Sequence, residues 1–175
     1  MRVLTLCGSL QESSSNAALL RAAVSVVPDG MELVRYPSIG DLPHFNPDRD
    51  TEAPEPVVGD YRAQLAAADG LLIATPEYAH EMPGVLKNAL DWVVGSGELI
   101  DTPVAIMSAG GGGGEFVLTI LGTTLEVMSA RVVAALGVGG VSNKRDAHGD
   151  IVDTETLEKI AATLLRLRDA INDAP

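Results

Sequence analysis

Gly70-Leu71-Leu72-Ile73-Ala74 is followed by the loop Thr75-Pro76-Glu77-Tyr78-Ala79-His80-Glu81-Met82, and then by Pro83-Gly84-Val85-Leu86-Lys87-Asn88-Ala89-Leu90-Asp91-Trp92. The opening residues carry no polar side chain, so a strand formed there has nothing to offer water on either face. That pattern belongs to a central parallel strand covered by helices on both sides. From Pro83 onward Leu86, Ala89, Leu90 and Val93 recur at helical spacing, with Lys87, Asn88 and Asp91 opposite. Proline suits the first turn of a helix. Strand, polar loop and amphipathic helix in this order form one unit of an α/β sheet.

The same unit recurs on both sides of this stretch. Val3 to Cys7 reads as a buried strand stopped by Gly8, and Asn16 to Val27 as a helix with Leu20, Ala23, Val24 and Val27 on one face. Met31 to Tyr36 alternates like an edge strand. Residues 37–55 contain Pro37, Pro43, Pro47 and Pro54 without periodicity. Such a stretch is either a functional loop or a tolerated insertion, and composition does not separate the two. A helix follows through Val58, Tyr61, Leu65 and Ala68. Beyond the central unit come a strand at Val104–Met107, a mostly apolar helix from Glu115 to Ala130, a strand at Val132–Ala135 and a last helix from about Thr154. The mostly apolar helix has little polar face beyond Glu126, which points to burial between layers or between subunits. Strands alternating with helices predict parallel strands, right-handed crossovers and a three-layer α/β sandwich. With no linker and no repeat, residues 1–175 are expected to form a single domain.

Composition narrows the partners. The chain of 175 residues has 24 acidic against 12 basic residues and a formal net charge of −12. A surplus of this size disfavours nucleic acid and anionic membrane surfaces, both of which are bound chiefly through Lys and Arg. The single cysteine excludes an internal disulfide and a multi-cysteine zinc site. His44, His80 and His148 lack ligand spacing, so no metal site is expected. The apolar start, Val3–Cys7, is too short for a signal peptide, which leads to the expectation of a cytoplasmic protein with no membrane span.

In a doubly wound sheet, ligands bind beyond the carboxyl ends of the strands. After the first strand comes Gly8-Ser9-Leu10-Gln11-Glu12-Ser13-Ser14-Ser15-Asn16, rich in hydroxyls and leading into a helix. Helix-start amides attract anions, and Ser and Asn side chains add neutral donors. Ser14 or Ser15 also reads as a simple helix cap, but a cap needs one such residue and the loop has five polar candidates. A phosphate loop is therefore favoured, of neither the Walker nor the dinucleotide-fingerprint type. Ser108-Ala109-Gly110 through Gly114 ends the fourth strand. These glycines read either as a surface for close approach of a flat ligand or as a flexible loop. Cys7 reads as a small buried residue rather than a nucleophile, and Lys144-Arg145-Asp146 as a solvated turn.

Gly8-Ser9-Leu10 with Ser14 and Asn16, then Leu42-Pro43-His44-Phe45-Asn46-Pro47-Asp48, then Pro76-Glu77-Tyr78 followed by Pro83 to Trp92, resemble the NADPH-dependent FMN reductase family. These are flavodoxin-like reductases of quinones, chromate and azo compounds, and the resemblance runs over essentially the whole chain. It implies a five-stranded parallel sheet of order 2-1-3-4-5. It implies that Ser9, Gln11, Ser14 and Asn16, with Ser15 beside them, hold the phosphate of FMN. Pro76, Glu77, Tyr78 and Ala79 would line the isoalloxazine ring, largely through backbone groups, and Ser108, Gly110 and Gly111 would close its other side. NADPH or NADH would be the donor, a quinone, free flavin or similar small molecule the acceptor, and a homodimer or homotetramer the assembly.

The chain departs from the family pattern at three positions. Gln11 stands where the family commonly has Arg, Ala79 where it has Asn, and Glu81 where it has Ser. With no Lys or Arg between Arg2 and Arg21, the phosphate is expected to rest on hydroxyls, amides and a helix start rather than on a basic patch. No catalytic acid, base or nucleophile is expected, because the flavin carries the chemistry. A non-enzymatic FMN-binding electron carrier or redox sensor, and a degenerate member with an empty site, are the alternatives.

Overall fold

The computed structural model describes residues 1–11 and 13–173. Five strands, β1 (Arg2–Cys7), β2 (Glu32–Arg35), β3 (Gly70–Ala74), β4 (Pro103–Gly110) and β5 (Arg131–Gly139), form one sheet of order β2-β1-β3-β4-β5. Every pairing is parallel. The helices are α1 (Ser15–Ser25), α2 (Pro56–Ala66), α3 (Gly84–Val94), α4 (Glu115–Val127) and α5 (Thr154–Asn172). This is the flavodoxin-like arrangement, whose switch in strand order falls between β1 and β3.

The period-two geometry of β3 explains why it had to be apolar throughout. Leu71 and Ile73 enter the core beneath α2, α3 and α4, whereas Leu72 and Ala74 enter the opposite core beneath α1 and α5. All five residues of β3 are buried. A polar substitution on either face would strand an unpaired group in one of the two cores. Edge strand β2 has no fully buried residue, in keeping with its alternating sequence.

Two strands are longer than their sequence pattern suggests. β4 runs on through Ser108-Ala109-Gly110 and β5 through Leu136-Gly137-Val138-Gly139, pairing glycine with glycine at Gly110 and Gly139. Glycine is a poor strand former, so propensity hides these ends. They stay paired because each strand supplies the other's ladder.

Residues 37–55 form a packed strap over α3. Two short 3-10 turns, Ile39–Asp41 and Pro47–Arg49, divide it. Ile39 and Leu42 are buried, and Phe45 meets Trp92 edge-on with ring centroids 5.1 Å apart. Asn88 Nδ2 and Trp92 Nε1 both donate to the Pro43 carbonyl, at 3.0 and 2.7 Å, and Asn88 Oδ1 accepts from the Phe45 amide at 2.8 Å. The Arg62 guanidinium joins α2 to the same assembly through Asp50, at 2.7 Å, and the Trp92 carbonyl. The strap lacks periodicity because individual anchors, rather than one continuous face, hold it down.

Asn88→Ala removes the partner of the Phe45 amide and one donor to Pro43. The expected loss is about 1–3 kcal/mol in urea unfolding. An unchanged midpoint would mean that water replaces the Asn88 side chain freely.

Candidate functional site

Three loops meet beyond the carboxyl ends of β1, β3 and β4, in which Cys7, Ala74 and Met107 are neighbours across the sheet. Backbone bonds start each loop at a set height. The Gly8 amide donates to Ala74 O at 2.8 Å, and the Thr75 amide to Met107 O at 3.0 Å. Gly8 has no alternative here, because a Cβ would stand 2.4 Å from Thr75 Oγ1.

The β1–α1 loop folds on its own side chains. Ser9 Oγ accepts from the Gln11 amide at 3.3 Å, and Gln11 Nε2 donates to Ser13 Oγ at 3.2 Å. Ser14 is buried, and its hydroxyl accepts from the Asn16 amide at 3.1 Å as the N-cap of α1. Ser15 opens the helix and is half-buried. Asn16 lies deeper than the rest. Its Oδ1 accepts from the Ala109 amide at 2.8 Å, and its Nδ2 donates to the Ala109 carbonyl at 3.3 Å. Asn16 therefore ties the first loop to the end of β4, with its side-chain amide committed to the protein itself.

The β3–α3 loop contains a tight reversal. Tyr78 and Glu81 exchange both backbone hydrogen bonds at 2.9 Å, and Ala79 and His80 between them have φ of 52° and 65°. Left-handed backbone at two successive positions is the turn that Asn and Gly favour. Alanine accepts it at a cost, having neither glycine's freedom nor a short polar side chain to bond locally. Glu77 turns the other way, and its Oε2 accepts from the Val117 amide at 3.1 Å. That amide lies in the first turn of α4, whose own N-cap, Gly114, has no side chain to offer. A carboxylate there also suits the helix dipole. His80 stacks on Phe116 with ring centroids 4.0 Å apart and planes 9° from parallel.

The glycine loop divides into two kinds of residue. Gly114 is required by packing, since a Cβ would fall 2.0 Å from Ser108 Oγ and φ is +72°. At Gly111 and Gly112 a Cβ would meet nothing within 4 Å. The protein's own contacts do not demand glycine at those two positions, which fits close approach by a flat guest. Ser108 Oγ is buried with no hydrogen-bond partner among the described residues.

The sequence-derived residues thus separate by role. Ser9, Gln11, Ser14 and Ser15 line one loop, Pro76, Glu77, Tyr78 and Ala79 the second, and Gly110 and Gly111 the third. Pro76 is buried and holds the backbone, while Tyr78 stays exposed. Asn16, Glu77 and Ser108 point their side chains into the scaffold. Phe116 was not singled out by sequence, because it reads as one more apolar residue of α4. Beside the first loop a cavity of about 610 Å³ opens toward β2, lined by Cys7, Ser9, Gln11, Arg21, Arg35 and Asp41 among others. Burial pushes the Cys7 thiol up, only partly offset by the Ser9 backbone and Arg35, so it is a poor nucleophile at neutral pH.

A five-stranded parallel sheet of this order, with a hydroxyl-rich loop at the start of α1 and a glycine tract after β4, defines a flavodoxin-like α/β protein. The sequence profile of NADPH-dependent FMN reductase matches residues 1–146, and the chain belongs to that family. Potato NAD(P)H:quinone oxidoreductase is 35% identical over 96% of this chain and 91% of that protein. The NAD(P)H-dependent FMN reductase of Pseudomonas aeruginosa is 34% identical over 96% and 94%. Among solved structures, the Paracoccus denitrificans flavoenzyme NAD(P)H:(acceptor) oxidoreductase superposes with a TM-score of 0.84 at 26% identity, covering 98% of this chain and 97% of that one. Among the described residues no helix is long and apolar enough to cross a membrane.

The strained reversal at Ala79 generates a direct test. Ala79→Gly should stabilise the protein by about 0.5–1 kcal/mol in chemical unfolding, as relief of left-handed strain outweighs the added freedom of the unfolded chain. A destabilised variant would mean that the turn is not held in this conformation in solution.

Proposed function

We propose that the chain is an oxidoreductase that carries electrons from NADPH or NADH through bound FMN to a quinone, free flavin or similar small acceptor. The observation that carries this reading is that Asn16 ties the hydroxyl-rich loop to the end of β4 while Glu77 ties the Tyr78–Glu81 loop to the start of α4, on either side of the open Gly111 and Gly112. The donor set fits FMN. Hydroxyls of the first loop and the first amides of α1 suit a phosphate, and open glycine backbone beside exposed Tyr78 suits a planar ring. When bound there, FMN supplies hydride acceptance and electron transfer.

The protein's part is to bind and orient. Ser9, Gln11, Ser14 and Ser15 shape the phosphate end. Pro76 to Ala79 fix the height of one wall, and Gly110 and Gly111 leave room at the other. The carboxylate of Glu77 is occupied at α4, which leaves the wall's backbone to face the ring. A single slot for donor and acceptor supports a ping-pong order, in which the oxidised nicotinamide leaves before the acceptor enters. We place the protein in the cytoplasm, as a homodimer or homotetramer. Val94, Phe116 and Val127 are exposed apolar residues of α3 and α4, and Phe116 connects that face to the site through His80.

The non-enzymatic electron carrier makes a different prediction. In anaerobic mixing, NADPH or NADH should bleach the visible flavin band of the FMN-loaded protein, and a quinone added afterwards should restore it. Flavin that stays oxidised with both nucleotides would rule out the reductase reading.

A further inference from the structure

The β1–α1 loop has no cation of its own, and the cations that the fold brings near it are not equivalent. Arg21 is taken up by Asp150, at 2.6 Å, and by the Gly149 carbonyl at 3.1 Å. Lys144 is taken up by Thr156 Oγ1, at 3.0 Å, and by Asp153 at 3.4 Å. Arg35 is exposed and lines the cavity on the β2 side. Arg145 differs from all three. Its Nη1 reaches the Ser13 carbonyl at 3.4 Å, a contact across 132 residues of sequence. Its Nε and Nη2 are buried with no hydrogen-bond partner among the described residues.

The backbone around Arg145 is fixed. Arg145 pairs with Ile151 in an antiparallel bridge, and the Val152 amide donates to Lys144 O at 3.0 Å. The Asp146 carboxylate is occupied by the amides of His148, at 2.9 Å, and Asp150, at 3.0 Å. These bonds hold its carboxyl below the usual carboxylate range and turn it into its own loop rather than toward the guanidinium. The segment read from sequence as a solvated turn therefore delivers a guanidinium to the hydroxyl-rich loop with one edge unpaired among the described residues. A buried guanidinium edge without an acceptor is costly, and a phosphate is the acceptor its fork geometry matches.

We propose that Arg145 is the cation that binds the FMN phosphate at the β1–α1 loop, supplied from beyond β5 in a chain whose loop carries Gln11. The proposal rests on the FMN reading above and deepens it. Ser13 O orients the guanidinium through Nη1, which leaves Nε and Nη2 as the donors for the phosphate oxygens. Arg145 thereby offsets a dianion that the hydroxyls alone would hold only through neutral bonds.

Binding of FMN and of riboflavin to the full-length apoprotein, followed by flavin fluorescence, tests this. Arg145→Gln should weaken FMN roughly five- to thirtyfold, the difference between charged and neutral hydrogen bonds, while riboflavin is unchanged. Arg145→Lys should recover part of the loss, and the salt dependence of FMN affinity should flatten in Arg145→Gln. Arg35→Gln should match the unmodified chain. Equal FMN affinity in Arg145→Gln and the unmodified protein would overturn the proposal while leaving the FMN reading intact. So would equal losses for FMN and riboflavin, or a loss confined to Arg35→Gln. An unmodified protein that binds neither flavin would overturn the FMN reading, and the role of Arg145 with it. Thermal unfolding of each apoprotein separates a folding defect from a binding one, and lost FMN affinity in a fully folded Arg145→Gln protein supports the proposal.

Discussion

A single buried side-chain amide holds the site together. Asn16 pairs through both its oxygen and its nitrogen with the peptide of Ala109, bridging the first turn of α1 and the last residues of β4. Loops at the ends of separate strands have no reason of their own to keep a common height. This pairing, with the Gly8–Ala74 and Thr75–Met107 backbone bonds below it, imposes one. Buried in the protein, the amide finds no water to compete for its partners, so the arrangement is specific as well as stable.

A second latch joins the β3–α3 loop to α4. Glu77 leaves the β3–α3 loop to cap α4, and His80 stacks on Phe116 of the same helix. The reversal between Tyr78 and Glu81 is thereby clamped from both ends, which is how a left-handed alanine and histidine pair persists. Ala79 and His80 are the two successive left-handed non-glycine residues among the described positions, with single ones at Asp101 and Ser129. For the proposed function, such latches would set the walls of the flavin slot before any guest arrives, so that little ordering remains to be done on binding.

Much of this was legible in the sequence, and the illegible parts share a cause. β3 could be read because burial on both faces leaves only apolar residues, and α3 because its stripe has one period. The hydroxyls of the first loop announced themselves by their number. The ends of β4 and β5 could not be read, because their glycines are kept in strands by pairing with each other. The tie from Asn16 to Ala109 could not be read, since nothing local reveals a partner 93 residues away. The bond from the Val117 amide to the Glu77 carboxylate, across 40 residues, was hidden for the same reason. Arg145 looked solvated, and only the fold carries it across to Ser13. Periodicity reports which face of an element is buried. It does not report which distant loop a polar side chain reaches.

In the proposed function one slot, bounded by the loops after β1, β3 and β4, receives FMN as a unit. Hydrogen–deuterium exchange of the full-length protein with and without FMN tests it most directly. FMN should slow exchange together in residues 9–16, 75–81 and 109–117 and leave residues 35–41 unchanged. Protection confined to residues 35–41, on the cavity beside β2, would contradict it.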